Sequence, residues 1–499
     1  MTRAAVAVLL TPDRLSDEVL LVRRSPELVF FGGYDAFPGG TLDPEDADTP
    51  LVNVIAPNGE GPDYSTFVAA AARELFEETG VLLVRGATVG PADVLSIARR
   101  RLLAGEATFA AILREGGWVV DGRDFDPICR ITTPPFTPRR YDTWFFCSVR
   151  PPGARVEIWP GELVSASPLR AGNALDAWRR GERLIVPPVV LFLTELAERR
   201  IEESLPRICA LTASYARGKL HRVYFTPGVL IAPLKTPTRP PATHTNSYVV
   251  GEERLYLVDP GPSDGLEQER LWELVDGLAT EGRKLEGILL THYHPDHIGA
   301  ADEARRRYRV PLYAHADTVH LLPGLTFDRD LSEGETLPLG RAPDGGDDWK
   351  LHVYHVPGHA PGHLAFREDR YQGLLVGDLV STLSSILVDP KDGNLRQYMT
   401  SLERLEVLAD GTLFPGHGPP AREGRRAIVE TIRHRKEREA LLLAALQNAP
   451  ASAEALVPIV YADVDPALHA LAERSLLSGL IKLMEEGRVR RSGEEYALV

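Results

Sequence analysis

Apolar runs of three to seven residues, each closed by glycine, proline or polar side chains, recur along this chain. Runs of that length read as buried β-strands. Residues 4–10 and 19–24 are two such strands near the start. Residues 67–79 then change to a helical period, with Val68, Ala72, Leu75 and Thr79 on one face and Gly80 as the stop. Residues 191–201 read as a closing helix, and 213–222 as an undistinguished polar connection. Further on, 255–258, 267–280 and 285–290 alternate strand, helix, strand, as in a sheet with helices outside it. The end of the chain reads as a long helix opening at Thr431, helices over 451–460 and 468–485, and a hairpin over 489–498 that turns at Gly493.

Length and composition narrow the class. At 499 residues the chain has material for about three domains, and 44% hydrophobic with 25% charged residues is ordinary for a globular protein. A net charge of −14 argues against a protein that coats nucleic acid non-specifically. Cys129, Cys147 and Cys209 have no metal-like spacing and read as reduced, mostly buried thiols. The apolar start is too short for a signal peptide, and Thr11-Pro12-Asp13 stands where a small-residue cleavage site belongs. No stretch is long enough to cross a bilayer. A cytoplasmic protein with no membrane partner is expected, its oligomeric state open.

The densest chemistry lies in Thr291-His292-Tyr293-His294-Pro295-Asp296-His297, directly after the run Ile288-Leu289-Leu290. Three imidazoles and a carboxylate in one loop suit zinc, manganese or iron rather than calcium. Six adjacent residues cannot surround two metals, but later turns add donors. His359 lies in Val356-Pro357-Gly358-His359-Ala360-Pro361-Gly362-His363, Asp378 ends Val376-Gly377-Asp378, and His417 lies in Phe414-Pro415-Gly416-His417-Gly418. Each follows an apolar or extended segment, so a rigid sheet would present all of them on loops at one edge.

These motifs, in this order over about residues 223–420, resemble the metallo-β-lactamase superfamily. The resemblance implies that His292, His294 and His359 hold one metal and Asp296, His297 and His417 the other. Asp378 would bridge them, with Asp259 of Val258-Asp259-Pro260-Gly261 behind the ligands. Two cations a few ångströms apart need a shared anion, and together they lower the pKa of a bridging water toward 7. Every ligand position is filled. Two Zn²⁺, or Mn²⁺ or Fe in their place, are expected, with Asp296 counted as catalytic as well as a ligand.

The first part of the chain holds a second constellation. Phe37-Pro38-Gly39-Gly40 precedes Arg73-Glu74-Leu75-Phe76-Glu77-Glu78-Thr79-Gly80. Glu74, Glu77 and Glu78 crowd one helical turn at i, i+3 and i+4, where like charges repel and a cation is the usual reason to keep them. The pattern resembles the Nudix box, with two departures. The first acidic position falls on Asp46, and 26 residues separate it from Arg73 where the box allows seven. The intervening stretch contains Pro50, Pro57, Gly59, Gly61 and Pro62, so it reads as a loop running into the helix. An enlarged box, with Pro138-Arg139-Arg140-Tyr141-Asp142-Thr143-Trp144 and Leu184-Ile185-Val186-Pro187-Pro188 downstream, is similar to the coenzyme A diphosphatase branch. The resemblance covers about residues 1–215. It implies Glu74, Glu77 and Glu78 on Mg²⁺ or Mn²⁺, Glu77 and Glu78 as the catalytic pair that positions a water, and Arg73 as a structural ion-pair partner. Arg23, Arg24, Arg139 and Arg140 are candidates to hold substrate phosphates.

The tail, about residues 426–499, has the helix, helix, hairpin order of a winged helix. Lactamase core plus winged tail resembles the beta-lactamase-like protein 2 family of endoribonucleases, which implies single-stranded RNA. Arg488, Arg490, Arg491, Arg433, Arg435 and Lys436 could grip its phosphates. The fold class expected is therefore α/β and α+β multidomain: a Nudix α/β/α sandwich (1–215), a metallo-β-lactamase αββα sandwich (223–420) and a small winged helix (426–499). The function expected is a two-site metal-dependent hydrolase. One site would cleave the pyrophosphate of a small-molecule nucleotide derivative, coenzyme A or acyl-CoA favoured. The other would hydrolyse an ester-like bond, either an RNA phosphodiester or a thioester. The alternative is a Nudix unit that only senses a nucleotide and regulates the hydrolase behind it.

Overall fold

The structure, a computed structural model, describes residues 2–13, 17–28, 31–57, 60–61, 63–87, 92–135, 137 and 139–499. Gly59, Pro62 and Pro138 of the motifs above lie outside the described residues. The chain divides into two compact units, Met1–Phe225 and Thr226–Val499.

In the first unit the strand Thr2–Thr11 pairs in parallel with Arg140–Val149, which pairs antiparallel with Asp126–Thr132. Side chains alternate across a strand, so these strands feed two cores. Val6, Val8, Trp144 and Phe146 pack with Val68, Ala72, Leu75 and Phe76 of the helix Tyr64–Thr79. Leu9, Phe145 and Cys147 point the other way, into Leu175, Trp178, Phe192 and Leu193. The result is a sheet layer with helices on both faces. The acidic helix starts at Tyr64, three residues earlier than its period suggested. The closing helix is in fact two, Pro187–Leu196 and Ile201–Ala216, and the second takes in residues expected to be connection. Pro206 inside it breaks up the pattern, yet Ile201, Ile208 and Thr212 are buried. Cys129 and Cys147 are buried free thiols, but Cys209 is exposed.

The second unit is built on a seven-stranded and a five-stranded sheet. Arg254–Val258, Lys284–Leu289 and Leu312–Ala314 run parallel in the first, with the helix Gly265–Thr280 as a crossover. Trp349–His355, Leu364–Glu368, Leu374–Gly377 and Leu413–Pro415 are neighbours in the second. The long helix spans Gly424–Asn448, starting seven residues before Thr431. Its first half puts Ile428 and Ile432 into the core around Tyr398 and Leu402. Its second half puts Leu442 and Leu446 into a separate small core with Leu456, Leu476, Leu480 and Tyr496. That core is closed by the helix His469–Glu485 and a three-stranded sheet in which Glu495–Leu498 pairs with Val489–Ser492 and Ala451–Ser452. Among the described residues no helix is long and apolar enough to cross a membrane.

Candidate metal centres

Five strand ends of the second unit deliver the donors. Asp259 follows Arg254–Val258, and the loop from Thr291 to His297 follows Lys284–Leu289. His359, Asp378 and His417 follow Trp349–His355, Leu374–Gly377 and Leu413–Pro415. Ligand atoms of His292, His294, His359 and Asp378 lie within 4.8 Å of one another, as do those of Asp296, His297 and His417.

The imidazole protons can be assigned from the partners. Asp259 Oδ2 accepts from Thr291 Oγ1 at 2.6 Å, so the Thr291 oxygen accepts in turn from His292 Nδ1 at 2.9 Å. His297 Nδ1 donates to the same Asp259 oxygen at 2.8 Å. His359 Nδ1 donates to Leu387 O at 3.1 Å and His417 Nδ1 to His244 O at 2.9 Å. His294 is reversed: its Nε2 donates to Asp392 Oδ2 at 3.2 Å. Each ring therefore spends its proton outside and turns a lone pair inward. His294 Nδ1 meets both His292 Nε2 and His359 Nε2 at 3.0 Å. Lone pairs so close repel unless a cation lies between them.

Asp378 joins the two groups. Its Oδ1 is 3.3 Å from both His297 Nε2 and His417 Nε2, and its Oδ2 is 3.6 Å from His359 Nε2. Asp378 Oδ1 and His297 Nε2 are buried without a hydrogen bond. An unsatisfied buried carboxylate oxygen and imidazole nitrogen cost free energy in the absence of a third group. The electrostatics differ between halves. Burial holds His292 well below its ordinary range and His359 down to about 4. Burial acts the same way on His297, but Asp378, Asp259 and Asp296 outweigh it and hold the ring well above the usual range; Asp378 likewise raises His417. Burial would raise Asp378, yet His417 and His297 hold it well below the usual carboxylate range. Three carboxylates around these rings call for positive charge. The residues fit a pair of divalent cations.

Sequence reasoning missed four participants. Thr291 relays Asp259 to His292, and Tyr293 donates its hydroxyl to Asp392. His363 is fully buried and its Nε2 accepts from Asp378 N at 3.2 Å, which aims the carboxylate. A histidine four residues after His359, across the Pro361-Gly362 turn, was legible; Asp392, without a motif around it, was not. A further grouping, His315, Asp317 and His355, has a different geometry. The His315 and His355 rings lie parallel, 8° apart in plane with centroids at 4.0 Å, so their in-plane lone pairs run side by side instead of converging.

In the first unit Arg73 organises the glutamates. Its Nε and Nη2 clamp Asp46 at 2.7 and 3.0 Å, and its Nη1 reaches Glu74 Oε1 at 2.9 Å and Glu77 Oε2 at 3.3 Å. Asp46, at the first acidic position of the box, is thus an anchor for Arg73. Glu78 Oε2 accepts from Gly39 N at 2.7 Å, and a Cβ on Gly40 would lie 2.5 Å from Glu74 Oε1, so the Gly-Gly turn is shaped to the carboxylates. Burial pushes Glu74 up to about 7, raises Glu77 and takes Glu78 well above the usual range. Carboxyls that burial keeps from ionising suit a cation that would replace their protons. Of the arginines offered for phosphate, Arg23 is clamped on buried Asp35 at 2.9 and 3.1 Å and Arg140 Nε donates to Thr133 O, whereas Arg24 Nε is buried without a partner.

Residues 1–102 match the NUDIX domain, residues 240–417 the metallo-beta-lactamase superfamily and residues 452–496 the beta-lactamase associated winged helix domain. The protein is a multidomain hydrolase that carries a Nudix and a metallo-β-lactamase domain, both of families that bind divalent metals. It is similar to the Beta-lactamase-like protein 2 homolog of Drosophila melanogaster, 29% identical over 261 residues that cover 50% of this chain and 85% of the relative. It is also similar to a hydroxyacylglutathione hydrolase of Bdellovibrio bacteriovorus, 29% identical over 162 residues, 32% of this chain and 57% of that one. Among solved structures, a NUDIX hydrolase from Alicyclobacillus acidocaldarius is 30% identical, covers 41% of this chain and 96% of its own, and gives a TM-score of 0.37.

Proposed function

We propose that this chain is a two-site metal-dependent hydrolase acting on coenzyme A derivatives: the Nudix site cleaves the pyrophosphate bond and the lactamase-fold site hydrolyses the thioester. The observation that carries the second site is the split of Asp378, one oxygen toward His297 and His417, the other toward His359. His292, His294 and His359 would hold one ion and Asp296, His297 and His417 the other, with zinc favoured by the nitrogen-rich donor set. Such ions, when bound, supply Lewis acidity and acidify water. Of the two carboxylate ligands Asp296 is the more exposed, 15% against 10% for Asp378, so it is the carboxylate better placed to take a proton at the mouth of the site. In the Nudix site Glu74, Glu77 and Glu78 would hold Mg²⁺ or Mn²⁺, Glu77 and Glu78 would position the attacking water, and Arg24 would meet a phosphate.

Two observations favour a thioester over RNA. One relative is named a hydroxyacylglutathione hydrolase, and another, from Aspergillus fumigatus, an atrochrysone carboxyl ACP thioesterase. The basic residues offered for RNA are mostly engaged within the unit. Arg488 pairs with Glu439 and Glu486, Arg433 with Glu437, and Lys436 with Glu403. Arg435 stacks over Tyr398 and Arg491 over Tyr496. Arg490 alone of the six has no such contact among those described.

A second reading, a nucleotide-sensing Nudix unit without turnover, is favoured by Arg73 Nη1, which engages both Glu74 and Glu77. One assay separates the readings: metal-reconstituted protein on an acyl-CoA, with products resolved by mass. Adenosine 3′,5′-bisphosphate with acyl-phosphopantetheine reports the first site; free acid with coenzyme A thiol reports the second. Turnover of single-stranded RNA with neither pair would remove the coenzyme A reading.

A further inference from the structure

The segment between Leu379 and Asn394 contains no regular helix or strand, yet it orients two of the three histidines on one side of the dinuclear site. Leu387 O takes the proton of His359 Nδ1, and Asp392 Oδ2 takes that of His294 Nε2 together with the Tyr293 hydroxyl. A loop without a backbone ladder holds such positions only if something braces it. Arg435 of the helix Gly424–Asn448 donates to Ile386 O and Gly358 O accepts from Asn394 N, but the braces between those two points come from the C-terminal winged helix.

Ser478 Oγ donates to Val388 O at 2.6 Å in a buried contact. Arg474 forms an ion pair with Asp389, whose side chain is only 10% exposed. Asp389 O in turn accepts from Asp392 N at 3.3 Å and from Gly393 N at 2.6 Å, the turn that presents Asp392. At the end of the loop Asn394 Nδ2 donates to Glu485 at 3.1 Å. Arg474, Ser478 and Glu485 are spaced i, i+4 and i+11 on the helix His469–Glu485, one face of it. Leu476, Leu480 and Leu483 serve the winged helix's own core, so the other face is left for the loop. On the opposite side of the site the rings are set from elsewhere: His297 by Asp259 and His417 by His244 O, while Ser381 and Thr382 of the segment reach His417 at its backbone carbonyl.

We infer that the winged helix is a positioning device for one metal: Arg474 and Ser478 fix the loop through Asp389 and Val388 so that Leu387 O and Asp392 set His359 and His294. The inference rests on the dinuclear reading above. It makes the tail part of the hydrolytic site whether or not the tail touches substrate.

The test is a Zn²⁺ competition titration of the full chain against a chromophoric chelator, in excess Mg²⁺ to occupy the Nudix glutamates. The wild type is expected to bind two ions. Ser478→Ala and Arg474→Gln are expected to weaken one of them about 10-fold and leave the other unchanged, as outer-shell changes do. Arg474→Lys, which keeps the charge at Asp389, is expected to restore most of the loss. Hydrogen exchange of the amides around Leu480 checks that the winged helix stays folded. Unchanged affinities in folded variants overturn the inference, and so does parallel weakening of both ions. A wild type that binds fewer than two ions removes the dinuclear reading itself, a result distinct from either.

Discussion

Asp259 and His297, thirty-eight residues apart in sequence, share a hydrogen bond of 2.8 Å between side chains that are 3% and 0% exposed. Asp259 reaches it from a left-handed backbone turn, φ 49°, and the same carboxylate takes the amide and the hydroxyl of Thr291. An aspartate at that corner therefore fixes His297 directly and His292 through one hydroxyl.

Asp259→Asn removes the charge and must turn an NH₂ toward either the Thr291 amide or the His297 Nδ1–H, both donors. Metal affinity is expected to fall about 10–100-fold. Chelator competition on the purified variant reads the change; affinity within twofold of wild type would show that the tautomers are set elsewhere.

Gly416 leaves room for the ligands. A Cβ there would lie 2.5 Å from Asp378 Oδ1 and 2.8 Å from His297 Cε1. Neither atom can retreat, because each is buried between other donors. Gly416→Ala is expected to lose about 10²-fold in thioester hydrolysis, the effect of shifting a reacting group by about 1 Å. Pyrophosphate cleavage in the same preparation should be untouched. Equal loss of both activities would instead mean general misfolding.

Glu77→Gln keeps the shape of the acidic turn and removes one charge. Pyrophosphate cleavage is expected to drop about 10²–10⁴-fold while thioester hydrolysis stays at the wild-type rate. Surviving pyrophosphate cleavage would move the metal helix's role to other residues.

Glu74 gives a pH dependence with a definite sign. Its pKa goes from 4.5 in an ordinary setting to about 7 in the fold, by burial. Between those values the ion-free fold binds more protons than the unfolded chain, so its stability should fall as pH rises from 4.5 through 7. Added Mg²⁺ should then raise the melting temperature of the Nudix transition more at pH 8 than at pH 5. Thermal scans in chelator and in Mg²⁺, with Glu74→Gln as the comparison, measure both slopes. An ion-free melting temperature independent of pH, alike in wild type and variant, would contradict the assignment.

The proposed ligand positions, and the type of element before each, were legible in the sequence. Donor residues at the ends of short apolar runs, with glycine or proline beside them, are a local signal, and His292, His294, Asp296, His297, His359, Asp378 and His417 all carry it. The acidic triad of the Nudix helix is equally local, because i, i+3 and i+4 share a face in any helix. Helix limits were less legible: Pro206 hides a helix that packing overrides, and the helix at Gly424 begins in polar residues whose apolar partners lie elsewhere. Packing across the chain set which oxygen of Asp378 faces which histidine, committed Arg73 to Asp46 and paired most of the tail's cations. It alone brought Asp392, Leu387 O, Ser478 and Arg474 into one chain of contacts. Those residues have no common motif. They act through contacts across 28 to 98 positions of sequence, between the metal histidines and the tail, and no local pattern encodes partners that distant.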